Sequence, residues 1–183
     1  MAGGGTGGHL FPALALAEEF RGRDADVSIT FMGAKGGLEE RVVPKHGYPL
    51  RVLSVEGIKR RGTLKKIKAI VLAFSSTMKA LGLLKELKPD GVIGSGGYSS
   101  APVVLAARLL GIRTAVLEQN ALPGLTNRVL GKIADRVYVS FDEARRHFPA
   151  GKTVLAGNPV RKEILKGASD RRARSNGERF SIL

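Results

Sequence analysis

Residues 3 to 9 read Gly-Gly-Gly-Thr-Gly-Gly-His. Gly3, Gly5 and Gly8 satisfy the G-x-G-x-x-G spacing, which brings a backbone close to a pyrophosphate at the N-terminus of a following helix. Glycine is costly in conformational entropy, so such a run marks a backbone that needs positive φ or that something must approach closely. The dinucleotide-binding version also wants an acid at the end of the second strand to hold a ribose. Here that strand ends Phe31-Met32-Gly33-Ala34, and Glu39 comes too late. The loop therefore reads as a generic phosphate or sugar-pyrophosphate cradle, with a purely structural tight turn as the competing reading. His9 closes it, next to Pro12 and the start of a helix. A histidine there either caps and packs, or serves as general base beside bound phosphate.

A second glycine cluster, Gly94-Ser95-Gly96-Gly97-Tyr98-Ser99-Ser100-Ala101-Pro102, again joins a strand to a helix. Two such loops at strand C-terminal ends converge on one crevice of a doubly wound sheet. Tyr98, Ser99 and Ser100 can hydrogen-bond phosphate or sugar hydroxyls, or the serines can simply cap the helix. The third element is Leu117-Glu118-Gln119-Asn120, where polar groups end an apolar strand, followed by Pro123-Gly124-Leu125-Thr126-Asn127. A carboxylate and amides at a sheet edge suit sugar recognition. A cap on the next helix would explain Thr126 but not Glu118.

The stretch 58–88 has a different character. Ile58, Lys59, Arg60, Arg61, Leu64, Lys65, Lys66, Ile67, Lys68 and Phe74 set dense positive charge beside bulky apolar residues at helical spacing. That pattern describes either a core helix with a solvated basic edge or a patch that docks on an anionic bilayer. Asp24-Ala25-Asp26 resembles a metal-binding D-x-D but precedes the second strand, on the side away from the glycine loops, and reads as a solvated turn.

These groups need a scaffold that gathers strand ends. Short β-branched runs at Val27 to Met32, Leu50 to Val55, Gly91 to Gly94, Thr114 to Leu117, Arg136 to Val139 and Thr153 to Leu155 alternate with helical patterns. The helical patterns cover Pro12 to Phe20, Leu64 to Leu87, Ala101 to Leu110 and Leu125 to Ile133. Alternation of this kind predicts an α/β fold, a doubly wound parallel sheet covered by helices on both faces. Both ends look cut. Only Met1 and Ala2 precede the first glycine loop, so the strand expected there is absent or a stub, with a gap in the sheet centre beside the loop. Residues 1–168 form one Rossmann-like unit, and residues 169–183 read as a polar, arginine-rich linker running into the first strand of a second domain.

Composition narrows the partners. The 183-residue chain has no cysteine, which excludes disulfides and thiolate metal sites. No run approaches the roughly 18 to 20 apolar residues of a spanning helix, and there is no signal-peptide pattern. A net charge of +14 calls for an anionic partner. With 5% aromatic residues and no RNA-type aromatic motif, phosphate-bearing ligands or a membrane surface are favoured over nucleic acid.

Taken in order, G-G-G-T-G-G-H with Pro12, G-S-G-G-Y-S-S-A-P, L-E-Q-N-A-L-P-G-L-T-N and A-G-N-P-V-R resemble the N-terminal domain of the MurG family of peptidoglycan glycosyltransferases. The similarity runs from Gly3 to about Arg161. It implies a GT-B fold of two Rossmann-like domains. It also implies inverting transfer of N-acetylglucosamine from UDP-N-acetylglucosamine to the MurNAc 4-hydroxyl of lipid I, giving lipid II, with no cofactor and no metal-binding D-x-D. By motif, Thr6, Gly7, Gly8, Asn120 and Arg161 map to donor contacts. Gly96, Gly97, Tyr98, Ser99 and Asn127 map to the acceptor cleft, and His9 or Glu118 to acceptance of the hydroxyl proton. The family's membrane patch falls near Ile58 to Phe74. The implied location is the cytoplasmic face of the bacterial membrane, peripherally bound, with cell-wall synthesis or division proteins as further partners. Most of the donor-binding domain is missing, so the chain alone is expected not to turn over. Two other readings are a related lipid glycosyltransferase of the diacylglycerol glucosyltransferase type and a non-catalytic anionic-membrane-binding module.

Overall fold

In a computed structural model, residues 1–55, 63–162 and 164 are described, with 63–70 known by backbone alone. Ile58, Lys59, Arg60 and Arg61 of the basic patch, and the 169–183 linker, lie outside the described residues.

Seven parallel strands form one sheet. In chain order they are β1 (Ala2–Gly3), β2 (Phe31–Ala34), β3 (Leu50–Leu53), β4 (Gly91–Gly96), β5 (Arg113–Glu118), β6 (Arg136–Val139) and β7 (Thr153–Leu155). Their spatial order is β3-β2-β1-β4-β5-β6-β7. The order reverses between β1 and β4, and at such a switch point the loops leaving the strand ends diverge and open a crevice. Five helices connect the strands: α1 (Gly7–Arg23), α2 (Leu38–Val42), α3 (Thr63–Leu87), α4 (Ser100–Leu109) and α5 (Leu125–Ile133).

The period-2 alternation of strands distributes the core. On one face Phe31 packs with Leu10, Ala13, Leu14 and Ala17 of α1 and with Tyr48. Its neighbour Met32 points the other way, into a cluster with Leu84 of α3, Val103, Val104 and Ala107 of α4, and Val116 of β5. Leu10 and Leu14 are fully buried, and each contributes about 1.5–3 kcal/mol of transfer free energy that clamps α1 to the sheet. That clamp fixes the first turn of α1, and so the glycine loop.

Two expectations need correction. The strand read over Val27 to Met32 begins only at Phe31, because residues 27–30 have no ladder partner on either side. The helix read from Pro12 begins five residues earlier, at Gly7, and holds Pro12 inside it. Interior proline leaves Gly8 O without its bond from residue 12, and the buried α1 face of Leu10, Ala13 and Leu14 holds the helix through it.

The first strand is the expected stub, but it does not leave a gap at the loop. Ala2 pairs with Met32 on one side and Gly94 on the other, and Gly3 pairs with Gly96. The sheet is thus continuous at the level of the glycine loop. Near the opposite strand ends lies a cavity of about 560 Å³ lined by Met1, Val27, Ile29, Thr30 and Val92 among others. Asp24 and Asp26 border this cavity, far from the loops, and Asp26 N–H donates to Asp24 Oδ1 at 3.0 Å in an exposed turn.

Asp135 locks the joint between α5 and β6 to the start of β5. Its Oδ2 accepts from Thr114 N–H at 2.7 Å and from Thr114 Oγ1 at 2.9 Å, while Oδ1 meets Arg108 at 2.8 Å. The Thr114 backbone N–H, helped by the Thr114 hydroxyl, Arg108 and Lys152, holds this carboxyl below its ordinary value of 3.8 against the opposing effect of burial. A depressed carboxylate stabilises the fold above its unfolded pKa, and that contribution is lost as pH falls through the folded one. Thermal unfolding followed from pH 7 to pH 2 should therefore show a drop below about pH 4 that is shallower in Asp135→Asn. An unchanged acid limb in the variant would remove this residue from the account.

Candidate active site

The C-terminal ends of β1, β4 and β5 carry the three polar loops to one place. The first two touch through their backbones: Gly4 N–H donates to Gly96 O at 3.3 Å, and Gly97, at φ 80°, lies so close that a Cβ there would run into Gly4 O. A side chain at Gly97 would meet both the left-handed φ penalty and this backbone clash. Gly97→Ala is expected to cost at least about 2 kcal/mol, read as a lower urea midpoint. An unshifted midpoint would mean that the loops do not meet this closely.

Contact between the loops sets His9 against the second one. A Cβ on Gly96 would lie 2.6 Å from His9 Cδ2, 2.9 Å from His9 Nε2 and 3.3 Å from Asn127 Nδ2. The absence of a side chain at Gly96 thus lets the imidazole and the Asn127 amide pack directly against its backbone. On the far edge of the ring, His9 Nδ1 hydrogen-bonds Thr6 Oγ1 at 3.1 Å. With the proton on Nδ1 donated to Thr6, Nε2 keeps its lone pair as an acceptor. Thr6 is the N-cap of α1 but makes no side-chain cap bond, its hydroxyl being engaged with His9. Gly7 and Gly8 occupy the first turn, where helix amides lack carbonyl partners and the dipole favours an anion. Arg161 stacks over Phe11, 4.6 Å from the ring centroid, which sets its guanidinium on the same end of α1.

Glu118 is 1% exposed, and both its oxygens are occupied. Oε1 accepts from Asn120 N–H at 2.8 Å and Asn120 Nδ2 at 2.9 Å, and Oε2 accepts from Asn127 Nδ2 at 3.0 Å. Asn127 Nδ2 also reaches Leu117 O at 2.8 Å. The carboxylate therefore fixes the two asparagines. Asn120 is exposed, and with its Nδ2 turned inward to Glu118 its Oδ1 is left as a free acceptor.

Capping explains less here than the sequence allows. Ser99 is the N-cap of α4 but makes no cap bond, and Ser100 Oγ donates to Gly97 O at 2.9 Å. Gly124, not Thr126, is the N-cap of α5. Ser95 Oγ, Ser99 Oγ, Gln119 Oε1 and Asn127 Oδ1 are buried without a hydrogen-bond partner. Buried polar atoms normally have partners, so four unpaired ones on these loops, among the described residues, are unusual. Tyr98 is exposed between them. Glu39 and Ser95 were not among the sequence-predicted residues; for Ser95 the signal was adjacency to Gly96. Among the described residues no group of three or more His, Asp or Glu is placed to hold a metal.

Residues 1–139 match the Glycosyltransferase family 28 N-terminal domain. The chain belongs to that family. Over 186 residues it is 50% identical to the UDP-N-acetylglucosamine--N-acetylmuramyl-(pentapeptide) pyrophosphoryl-undecaprenol N-acetylglucosamine transferase of Geobacter sp. (strain M21), covering 100% of this chain and 49% of the relative. The protein of the same name from Myxococcus xanthus (strain DK1622) is 49% identical over 185 residues, covering 100% of this chain and 47% of the relative. The chain thus spans about half the length of the curated relatives it matches. Among solved structures, Acinetobacter baumannii MurG superposes with a TM-score of 0.70 at 33% identity, over 88% of this chain and 45% of that one. A UDP-N-acetylglucosamine 2-epimerase from Rickettsia bellii superposes at 0.63 with 19% identity, over 95% of this chain and 48% of that one, a likeness of fold alone. The family 28 assignment bears out the Rossmann-like, GT-B reading of the sequence.

Proposed function

We propose that this family 28 chain is the acceptor-handling half of an inverting glycosyltransferase. The whole enzyme moves N-acetylglucosamine from UDP-N-acetylglucosamine to the MurNAc 4-hydroxyl of lipid I, giving lipid II, at the cytoplasmic face of the bacterial membrane. The observation that carries the reading is the convergence at these strand ends of His9, held at Nδ1 by Thr6 and packed on Gly96, with the Asn127 amide held by Glu118. An acceptor hydroxyl there lies within reach of a base and an amide. Its oxygen attacks the anomeric carbon, the bond from that carbon to the UDP phosphate oxygen breaks, and the hydroxyl proton passes to His9 Nε2. The departing electron pair stays on UDP, whose phosphates meet the first-turn amides of Gly7 and Gly8, with Thr6, Asn120 and Arg161 around the donor. Gly96, Gly97, Tyr98, Ser99 and Asn127 line the acceptor side. Of the two candidate bases His9 fits better, because both Glu118 oxygens already hold amides.

The same reading gives α3 a membrane role. No helix among the described residues is long and apolar enough to cross a membrane. Val71, Phe74 and Met78 are 62%, 69% and 53% exposed on α3, just after Leu64, Lys65, Lys66, Ile67 and Lys68. Apolar wedges beside lysines bind anionic bilayers, at about 1 kcal/mol per basic residue near the surface. Reversing Lys65, Lys66 and Lys68 to glutamate should weaken co-sedimentation with anionic vesicles on the order of hundredfold, while His9→Ala leaves it unchanged. Equal binding by the reversed variant would send the patch back to a solvated helix edge.

The activity is tested by joining the chain to the C-terminal half of the Geobacter relative and assaying transfer from UDP-N-acetylglucosamine to a lipid I analogue. Transfer to lipid I supports the reading. Transfer only to diacylglycerol would favour a related lipid glycosyltransferase, and vesicle binding with no transfer by a folded chimera would favour a membrane-binding module.

A further inference from the structure

Glu39 lies beneath the first glycine loop, 0% exposed, and among the described residues no lysine, arginine or histidine pairs with it. A buried carboxylate persists only where hydrogen bonds replace its lost water. Two backbone amides do so: Gly5 N–H donates to Oε2 at 3.0 Å and Ala34 N–H donates to Oε1 at 3.0 Å. One bond comes from the glycine loop and the other from the end of β2, so the side chain ties the loop to the sheet next door.

Three glycines make room for it. Cβ atoms on Gly4 and Gly37 would collide with the Glu39 carboxylate, and one on Gly33 would lie 2.9 Å from Glu39 Cβ and Cγ. Part of the glycine richness of this chain thus shapes a slot for its own glutamate and not for a ligand. The consequence reaches the chemistry. Gly5 is followed directly by Thr6, which holds the His9 ring, and by Gly7 and Gly8 of the α1 first turn.

We propose that Glu39 is a positioning residue for the transfer reaction: its carboxylate holds the glycine loop so that His9 faces Gly96, and its charge reserves Gly5 N–H, leaving donor phosphates the amides of Gly7 and Gly8. This rests on the proposed transfer. A phosphate drawn toward Gly5 would approach a like charge in a poorly screened setting and be turned away. The loop therefore combines a closed half, capped from within, and an open half at the helix end.

Glu39→Gln keeps the volume but replaces one anionic acceptor by a donor. In the two-domain chimera it should lower kcat by roughly tenfold or more through misplacement of His9, with the KM for UDP-N-acetylglucosamine unchanged or lower because the repelling charge is gone. In the 183-residue chain itself, the amide proton resonances of Gly5 and Ala34 should both move upfield in the variant, with the thermal midpoint recorded alongside. A role confined to filling space predicts that glutamine substitutes freely. Wild-type kcat in the variant, or a raised KM with kcat intact, would overturn the proposal, as would unmoved Gly5 and Ala34 resonances. If the wild-type chimera transfers nothing, the proposed function fails on its own, and the amide resonances still decide whether Glu39 holds the loop.

Discussion

Replacing His9 by alanine in the two-domain chimera should lower kcat by roughly 10²- to 10⁴-fold, the usual contribution of a positioned general base. The expectation follows from the ring's two edges. Nδ1 is engaged by Thr6 Oγ1 at 3.1 Å, and Nε2, on the edge packed against Gly96, makes no hydrogen bond among the described residues. His9→Gln retains a polar side chain but no basic nitrogen, so it should be as slow as alanine. Thr6→Val should be milder, since it frees the ring to rotate without removing the base. Because His9 is only partly buried and bears no core contacts in either cluster, the thermal midpoint should stay near wild type. Acceptor KM should change little, which separates loss of proton transfer from loss of binding. A variant with intact kcat and a raised acceptor KM would make His9 a binding residue and reopen the search for the base.

Such a prediction could be half drawn from the sequence. Alternating β-branched runs and helical stretches sufficed for the doubly wound sheet, because burial on both faces leaves a strong compositional mark in strands. The glycine loops were legible for a similar reason: only glycine tolerates the positive φ at Gly5, Gly96 and Gly97. What the loops enclose was not legible. Glu39 looked like a ribose-binding acid placed too late, whereas its side chain folds back under Gly4 and Gly5 across 34 positions of sequence. No local periodicity encodes that return. The extent of β2 was misread because a parallel strand exists only where neighbours pair with it, and residues 27–30 have none. Pro12 marks a helix start in the sequence, but the face of α1 that packs on Phe31 already includes Leu10 and begins upstream of it.

Glu118 tests the same boundary between chemistry and support, and truncating it should produce the larger structural effect. Its carboxylate accepts three N–H groups within 3.0 Å, two from Asn120 and one from Asn127, at a site 1% exposed. Glu118→Ala strips those donors of an ionised partner and opens a cavity at the end of β5. The expected loss is about 2–4 kcal/mol, measured by urea unfolding of the chain. Glu118→Gln preserves volume and one carbonyl acceptor, so it should unfold closer to wild type. Activity then discriminates between the roles. If Glu118 only holds Asn120 and Asn127, the glutamine variant of the chimera should keep a substantial part of kcat while the affinity for both sugars weakens, since the proposed function sets Asn120 at the donor and Asn127 at the acceptor. If Glu118 were the base, glutamine would abolish kcat as fully as alanine, despite the recovered stability. The geometry favours the first outcome: Glu118 is 1% exposed with three N–H groups drawing on its carboxylate, whereas His9 is only partly buried and among the described residues its Nε2 makes no hydrogen bond.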